Sequence, residues 1–221
     1  MNVNASMEAI RMFKNILFDF DGTLVDTNDL VILALNEAAR KFTGSPLSKE
    51  KLESVLGYYV EDQMKAISEI HYKEMTAYYN DFYRARQDEM VKEFDGIREM
   101  LDALKKKGCR IAIISAKEKE GIEHGIYKFE LSEYVDAIVC ANDVTNNKPH
   151  PEPALKAIAA LKADASETLL VGDSPLDIKC GRNAGIKTAL VGWTIFPMRM
   201  FEDLRPDYIL HDPQELVRMV V

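Results

Sequence analysis

The sequence predicts an α/β fold: a parallel sheet covered by helices on both faces, in three layers, with an all-helical insert near the start. Three observations predict it. From residue 95 onward, short apolar runs alternate with amphipathic stretches, and that alternation builds right-handed strand–helix–strand units around a parallel sheet. The apolar runs are continuous instead of alternating, as in strands buried on both faces. Between residues 29 and 93 the rhythm changes to helical spacing alone.

The first strand is expected at 15–20, Asn-Ile-Leu-Phe-Asp-Phe, and stops at Asp21-Gly22-Thr23. Leu30, Leu33, Ala34, Glu37 and Ala38 then recur at helical spacing until Gly44-Ser45-Pro46 breaks it. Residues 60–70 and 75–91 are again helical, and no strand is expected between residues 29 and 93. After Asp95-Gly96, the residues Ile97, Met100, Leu101 and Leu104 form an apolar stripe. Lys105, Lys106 and Lys107 fill its last turn and Gly108 stops it. Further strands are expected at 110–114, 134–140, 168–171, 187–191 and, last and short, 207–210. A helix is expected at 153–161, and another opens at Pro175 and closes at Gly185. The predicted organisation is a core of residues 1–27 and 94–221 with a helical insert of 28–93, residues 1–11 forming a frayed polar extension.

Composition narrows the function. The chain has 221 residues, 47% of them hydrophobic and 29% charged, enough apolar material for a core and too much for disorder. Its net charge of −8 argues against nucleic acid, which calls for a basic footprint. No apolar run approaches a membrane span, so neither membrane nor nucleic acid is an expected partner. Cys109, Cys140 and Cys180 form no paired spacing and read as reduced, buried thiols of a reducing compartment, and the cytoplasm is the expected location.

The polar residues of interest follow the strands, where open parallel sheets bind their ligands. Asp19 and Asp21 flank Phe20 at the end of the first run. Two carboxylates side by side are costly unless a cation or a proton lies between them. Ser115 follows the strand at 110–114; it suits either a helix N-cap or a phosphate oxygen at a helix start. Lys117 reads mainly as a surface residue and secondarily as a helper in holding the phosphate. Lys148 sits in Asn147-Lys-Pro-His-Pro-Glu-Pro153, a loop restrained by three prolines. Gly172-Asp-Ser-Pro-Leu-Asp177 follows the strand at 168–171. Its two aspartates facing another acidic pair would make a hard-oxygen pocket suited to Mg²⁺.

Together these motifs resemble those of haloacid dehalogenase-superfamily phosphatases, from about Met12 to the end of the chain: Asp19-Phe-Asp-Gly-Thr-Leu-Val-Asp-Thr27, Ile113-Ile-Ser115, Lys148-Pro and Gly172-Asp-Ser-Pro-Leu-Asp177. The resemblance implies a Rossmann-like core with a helical cap inserted after the first motif. It implies Asp19 as the nucleophile of an aspartyl-phosphate and Asp21 as general acid and then base. Ser115 and Lys148 are implied to hold the phosphoryl group, with Gly22 and Ala116 beside them. Mg²⁺ is implied at Asp19, the carbonyl of Asp21, Asp173 and Asp177. Ala116 departs from the Asn or Gly frequent in the family; it keeps the amide and loses any side-chain role.

The resemblance also sorts the chemistry. Dehalogenases and phosphonate hydrolases lack an aspartate at the place of Asp21. Sugar-phosphate mutases typically carry a histidine soon after the Asp-Thr, whereas Asp26-Thr27 is followed here by Asn-Asp-Leu-Val31. A small phosphomonoester such as 2-phosphoglycolate is the expected substrate. Pyrophosphate is the alternative, because Asp26-Thr-Asn-Asp-Leu30, Lys148-Pro-His-Pro-Glu-Pro153, Val191-Gly-Trp-Thr194 and Arg205-Pro-Asp-Tyr208 resemble pyrophosphatases of Gram-positive bacteria. A mutase or a non-catalytic binding protein stands further back. In the insert, Arg84 and Arg86 are candidates for a second anionic group, while His71, Tyr58, Tyr59 and His150 read mainly as packing or loop residues. A monomer or a homodimer is expected.

Overall fold

A computed structural model describes residues 13–220. The expected extension at 1–11 lies outside the described residues. In chain order the elements are β1 (Asn15–Phe18), β2 (Val25–Asp26), α1 (Asn28–Thr43), α2 (Lys49–Val55), α3 (Val60–Ile67), α4 (Tyr72–Arg84), α5 (Gln87–Met90), β3 (Lys92–Glu93), α6 (Ile97–Lys106), β4 (Arg110–Ile114), α7 (Lys119–Lys128), β5 (Ala137–Val139), α8 (Glu152–Leu161), β6 (Thr168–Gly172), α9 (Pro175–Asn183), β7 (Lys187–Val191), β8 (Tyr208–Leu210) and α10 (Pro213–Val217).

Six strands form one parallel sheet in the order β5-β4-β1-β6-β7-β8. The continuous apolar runs are its centre: every residue of β1 and β6 is buried. One core lies on the face that carries Phe18, Ile111, Ile113 and Val171. A second, on the opposite face, gathers Leu17, Ala112, Ile114 and Leu170 under Ala154, Ala157 and Cys180. Successive residues of one strand thus feed opposite layers, which is the physical content of a sheet covered on both sides.

The helical region is present as α1 to α5, with α1 against α4 and α3 against α4. The expectation of no strand between residues 29 and 93 is corrected by β3. Val25 pairs antiparallel with Glu93 and Asp26 with Lys92, a two-residue ribbon where the helices leave and rejoin the core. The expected helix at 75–91 is two helices, α4 and α5. Strand bounds shift inward: the first ends at Phe18, leaving Asp19 just beyond it, and the 134–140 run supplies only Ala137–Val139.

Candidate active site

β1, β4 and β6 lie side by side with their carboxyl ends together, so Asp19, Ser115 and Asp173 emerge at one edge of the sheet. The loop before α8 brings Lys148 to the same place. Its ammonium donates to Asp19 Oδ1 at 2.8 Å, to Asp177 Oδ1 at 2.6 Å and to the Ile114 carbonyl at 3.3 Å. An ammonium has three N–H donors, and all three are satisfied. Glu152 ties this segment down by accepting from the amides of Thr145 and Asn146, both at 3.0 Å.

Asp19, Asp173 and Asp177 each offer a carboxylate oxygen within 4.8 Å of the others, and all three are buried. The electrostatics follow. Burial drives the Asp19 carboxyl up from 3.8 to about 7, with Lys148 opposing and the Asp177 charge adding. Burial, then the charges of Asp19 and Asp177, hold Asp173 well above the usual carboxylate range. Burial works against the Lys148 ammonium, but Asp177 and Asp19 outweigh it and hold its pKa above the ordinary lysine value. One lysine does not balance this much negative charge. An all-oxygen, over-acidic, buried donor set fits a hard divalent cation.

Two backbone features hold the set together. Asp177 lies in the first turn of α9 and forms a capping box: its Oδ2 accepts from the Ser174 amide at 3.0 Å and hydroxyl at 2.6 Å. Both its oxygens are therefore engaged, one by Lys148 and one by Ser174. Gly22 takes φ +78°, and a Cβ there would lie 2.6 Å from Asp173 Oδ2. Only glycine lets the loop after Asp21 come this close to the cluster.

The Asp21 carboxylate stands outside the cluster. Its Oδ1 accepts from Lys117 Nζ at 2.7 Å, and the same ammonium donates to the Tyr83 hydroxyl of α4 at 2.8 Å. Reading Lys117 as surface is thus corrected: it lines the cavity next to Asp21. Burial, then the Asp21 charge, push the Tyr83 hydroxyl above its usual value, which keeps it neutral.

Ser115 is buried, and its Oγ accepts from the Lys117 amide at 3.1 Å. α7 begins four residues later at Lys119, so Ser115 and Ala116 belong to a tight turn and not to a helix start. The reading of Ser115 at a helix N-terminus is corrected accordingly. Asp19, Asp21, Ser115, Ala116, Lys148 and Asp173 all line one cavity of about 230 Å³, while Gly22 and Asp177 lie behind its wall.

The opposite wall comes from the inserted helices and carries Tyr58, Tyr59, Gln63, Tyr79, Tyr83 and Arg84. Arg84 reaches the cavity and faces Glu120 at 3.9 Å. Arg86 is corrected: its guanidinium stacks 3.7 Å from the Phe82 ring centroid and donates to the Phe82 carbonyl, away from the cavity. His71 packs near Phe42, and His150 Nδ1 accepts from the Glu152 amide. His124, which no sequence pattern singled out, lines the cavity and pairs with Asp88 at 2.7 Å. The i, i+4 spacing of Tyr79 and Tyr83 was the available signal for the aromatic wall.

The profile of the haloacid dehalogenase-like hydrolases matches residues 16–191. The chain belongs to that family. It is 35% identical over 204 residues to pyrophosphatase PpaX of Bacillus mycoides, covering 92% of this chain and 95% of that protein. A solved structure described as a haloacid dehalogenase-like hydrolase, from Bacteroides fragilis, superposes with a TM-score of 0.84 at 25% identity, covering 92% of this chain and 99% of that one. One described as a phosphoglycolate phosphatase, from Lactobacillus plantarum, also gives 0.84 at 20% identity, covering 94% and 99%, a likeness of fold alone. The chain is an enzyme, a phosphatase of the haloacid dehalogenase superfamily. Among the described residues no helix is long and apolar enough to cross a membrane.

Proposed function

We propose that the chain is a Mg²⁺-dependent phosphatase that hydrolyses pyrophosphate through an aspartyl-phosphate on Asp19. The observation that carries the chemistry is the Lys148 ammonium held between Asp19 and Asp177 beside a third buried carboxylate. The choice of pyrophosphate rests on the relatives: proteins named pyrophosphatase share 35% identity over nearly their whole length, whereas those described as phosphoglycolate phosphatases share the fold at 20–22%. This reverses the order of the two substrates expected from sequence. A 2-phosphoglycolate-like ester is the second reading, favoured by the aromatic wall of Tyr59, Tyr79 and Tyr83, which suits a carbon-bearing leaving group.

In this reading the carboxylates of Asp19 and Asp173 and the carbonyl of Asp21 would hold the ion, with Asp177 supporting them. Bound there, Mg²⁺ would supply the charge neutralisation that a carboxylate needs to approach a phosphate dianion. An Asp19 oxygen bonds to phosphorus as the bond to the leaving oxygen breaks, and Asp21 gives that oxygen a proton. Asp21 then takes a proton from water, whose oxygen attacks the same phosphorus and releases phosphate and the Asp19 carboxylate. Lys148 offsets charge on the nucleophile and the phosphoryl group. The Ser115 hydroxyl and the Ala116 amide hold phosphoryl oxygens; the expected part of Gly22 is corrected, because its amide already donates to the Val25 carbonyl at 2.8 Å.

Residues 28–93 act as a cap domain on a core that, among the described residues, comprises 13–27 and 94–220, excluding water when closed. A small cavity suits a small phosphorylated substrate. Three buried, unpaired cysteines support a cytoplasmic setting.

The test is phosphate release from pyrophosphate, 2-phosphoglycolate, sugar phosphates and nucleotides, with Mg²⁺ and with chelator, beside Asp19→Asn. Pyrophosphate should dominate, and Asp19→Asn should be inactive. Preference for 2-phosphoglycolate replaces the first substrate with the second. Turnover by Asp19→Asn, or full activity in chelator, overturns the chemistry itself.

A further inference from the structure

The geometry points to Lys117 and Tyr83 as positioning residues for Asp21, tying the acid–base carboxylate to the helix that covers it. This rests on Asp21 acting as proton donor and acceptor, as proposed above.

Asp21 lies past the end of β1, where a single bridge to Val25 ties its backbone and leaves its side chain to its own partners. Its carboxylate has one ion-pair partner among the described residues, Lys117 at 2.7 Å. Lys117 in turn donates to the hydroxyl of Tyr83 at 2.8 Å. These three side chains come from three separate elements: the loop after β1, the turn after β4, and α4 of the insert. The chain of contacts is therefore a physical link from the insert to the reacting end of the cavity.

The link is built for rigidity. Tyr83 is buried and stacks on Tyr79, with ring centroids 6.0 Å apart. The Lys117 ammonium lies 4.4 Å from the Tyr83 ring centroid as well as bonding its hydroxyl. Room for the lysine stem is made by Gly121 of α7: a Cβ there would lie 2.7 Å from Lys117 Cε. A lysine with a glycine-lined slot, a buried tyrosine partner and one carboxylate cannot wander as an exposed lysine does. Lys148 is fully occupied by its own three acceptors, so it cannot replace Lys117 in this role.

The consequence is an order of assembly. With α4 in place, Tyr83 fixes Lys117 and Lys117 fixes Asp21. With α4 displaced, Asp21 keeps a mobile partner and loses its aim, so proton transfer is coupled to coverage of the cavity.

The experiment compares Tyr83→Phe, Lys117→Met, Lys117→Arg and Asp21→Asn on a series of aryl phosphates, with Mg²⁺. Strongly acidic phenols leave without a proton; weakly acidic ones need it. Tyr83→Phe and Lys117→Met should lower kcat roughly tenfold for phenyl phosphate, the size of one lost hydrogen bond. The deficit should shrink toward p-nitrophenyl phosphate, with KM nearly unchanged and partial recovery in Lys117→Arg. Thermal unfolding of each variant checks that it is folded. A deficit equal across the series, or confined to KM, overturns the proposal, provided Asp21→Asn does show leaving-group dependence. If Asp21→Asn is flat across the series, the acid–base role of Asp21 falls, and this inference falls with it.

Discussion

Lys117 Nζ lies 2.7 Å from Asp21 Oδ1, so a turn after β4 holds the carboxylate that closes the loop after β1. Lys148 does the same for Asp19 at 2.8 Å. The two aspartates are separated by one residue, yet each has its own lysine. Their environments differ accordingly. Asp19 is enclosed with further carboxylates, and Asp21 faces the open part of the cavity beside the tyrosines. That asymmetry suits the different roles proposed for the two carboxylates.

Metal-free protein should lose stability as pH rises from about 4 to about 7. Asp19 titrates at 3.8 when unperturbed and at about 7 in the fold. The folded state therefore binds more protons in that window, and ionising Asp19 there costs folding free energy. The full effect is on the order of 4 kcal/mol, since each tenfold change in proton affinity is worth about 1.4 kcal/mol. Asp173 is raised in the same direction and adds to it. Urea unfolding in chelator across this range measures the slope. A stability that is flat or rises would contradict the assignment, and added Mg²⁺ should flatten the slope.

Lys148→Met should destabilise metal-free protein by roughly 3–5 kcal/mol, because it leaves buried charge without its partner. It should also lower kcat by roughly 10²- to 10³-fold, the size expected for one preorganised donor. Melting curves with and without Mg²⁺ check the first part, since a bound cation should return some of the loss. Steady-state rates check the second.

Gly22→Ala should weaken Mg²⁺ binding by roughly 10- to 100-fold, because the new methyl must displace the Asp173 carboxylate. The readout is the Mg²⁺ concentration for half-maximal activity. Gly44 also takes a positive φ, of +85°, but a Cβ there meets nothing within 4 Å. Gly44→Ala should cost stability from the backbone alone and leave the Mg²⁺ requirement unchanged.

Arg84→Ala should raise KM for pyrophosphate by about fivefold at low salt, and less at high salt, as an exposed ionic contact would. Arg86→Ala should leave KM unchanged and lower stability by about 0.5–1 kcal/mol through loss of its stacking on Phe82. Equal effects of the two variants on KM would put Arg86 back in the site.

The buried cluster of the candidate site was legible because its residues sit where strand grammar puts them. Asp19, Ser115 and Asp173 each follow an apolar run, and parallel pairing of those runs gathers them with no further information. Lys148 was legible through its prolines. Lys117 was not, because the direction of a side chain in a turn is set by its tertiary partners, here Asp21 and Tyr83, and no periodicity encodes it. The β2–β3 ribbon has two residues per strand, too few for an alternation to register. Arg84 and Arg86 are only two positions apart, but α4 ends at Arg84 and the chain turns between them. Helical spacing cannot rank residues across such a break.

The central place of β1 also has a consequence during synthesis. Its neighbours begin at Arg110 and Thr168, far downstream. At the usual pace of translation the ribosome needs on the order of ten seconds to make the second of them. For that interval Ile16, Leu17 and Phe18 emerge as a strand with an unpaired edge, while the five helices that follow can fold by local contacts alone. Asp19, the proposed nucleophile, is thus the first of the site residues made, and it is seated only once the strand leading to Asp173 has left the ribosome. A chain truncated between β4 and β6 would present an apolar edge and no site, which marks it for chaperone capture or degradation.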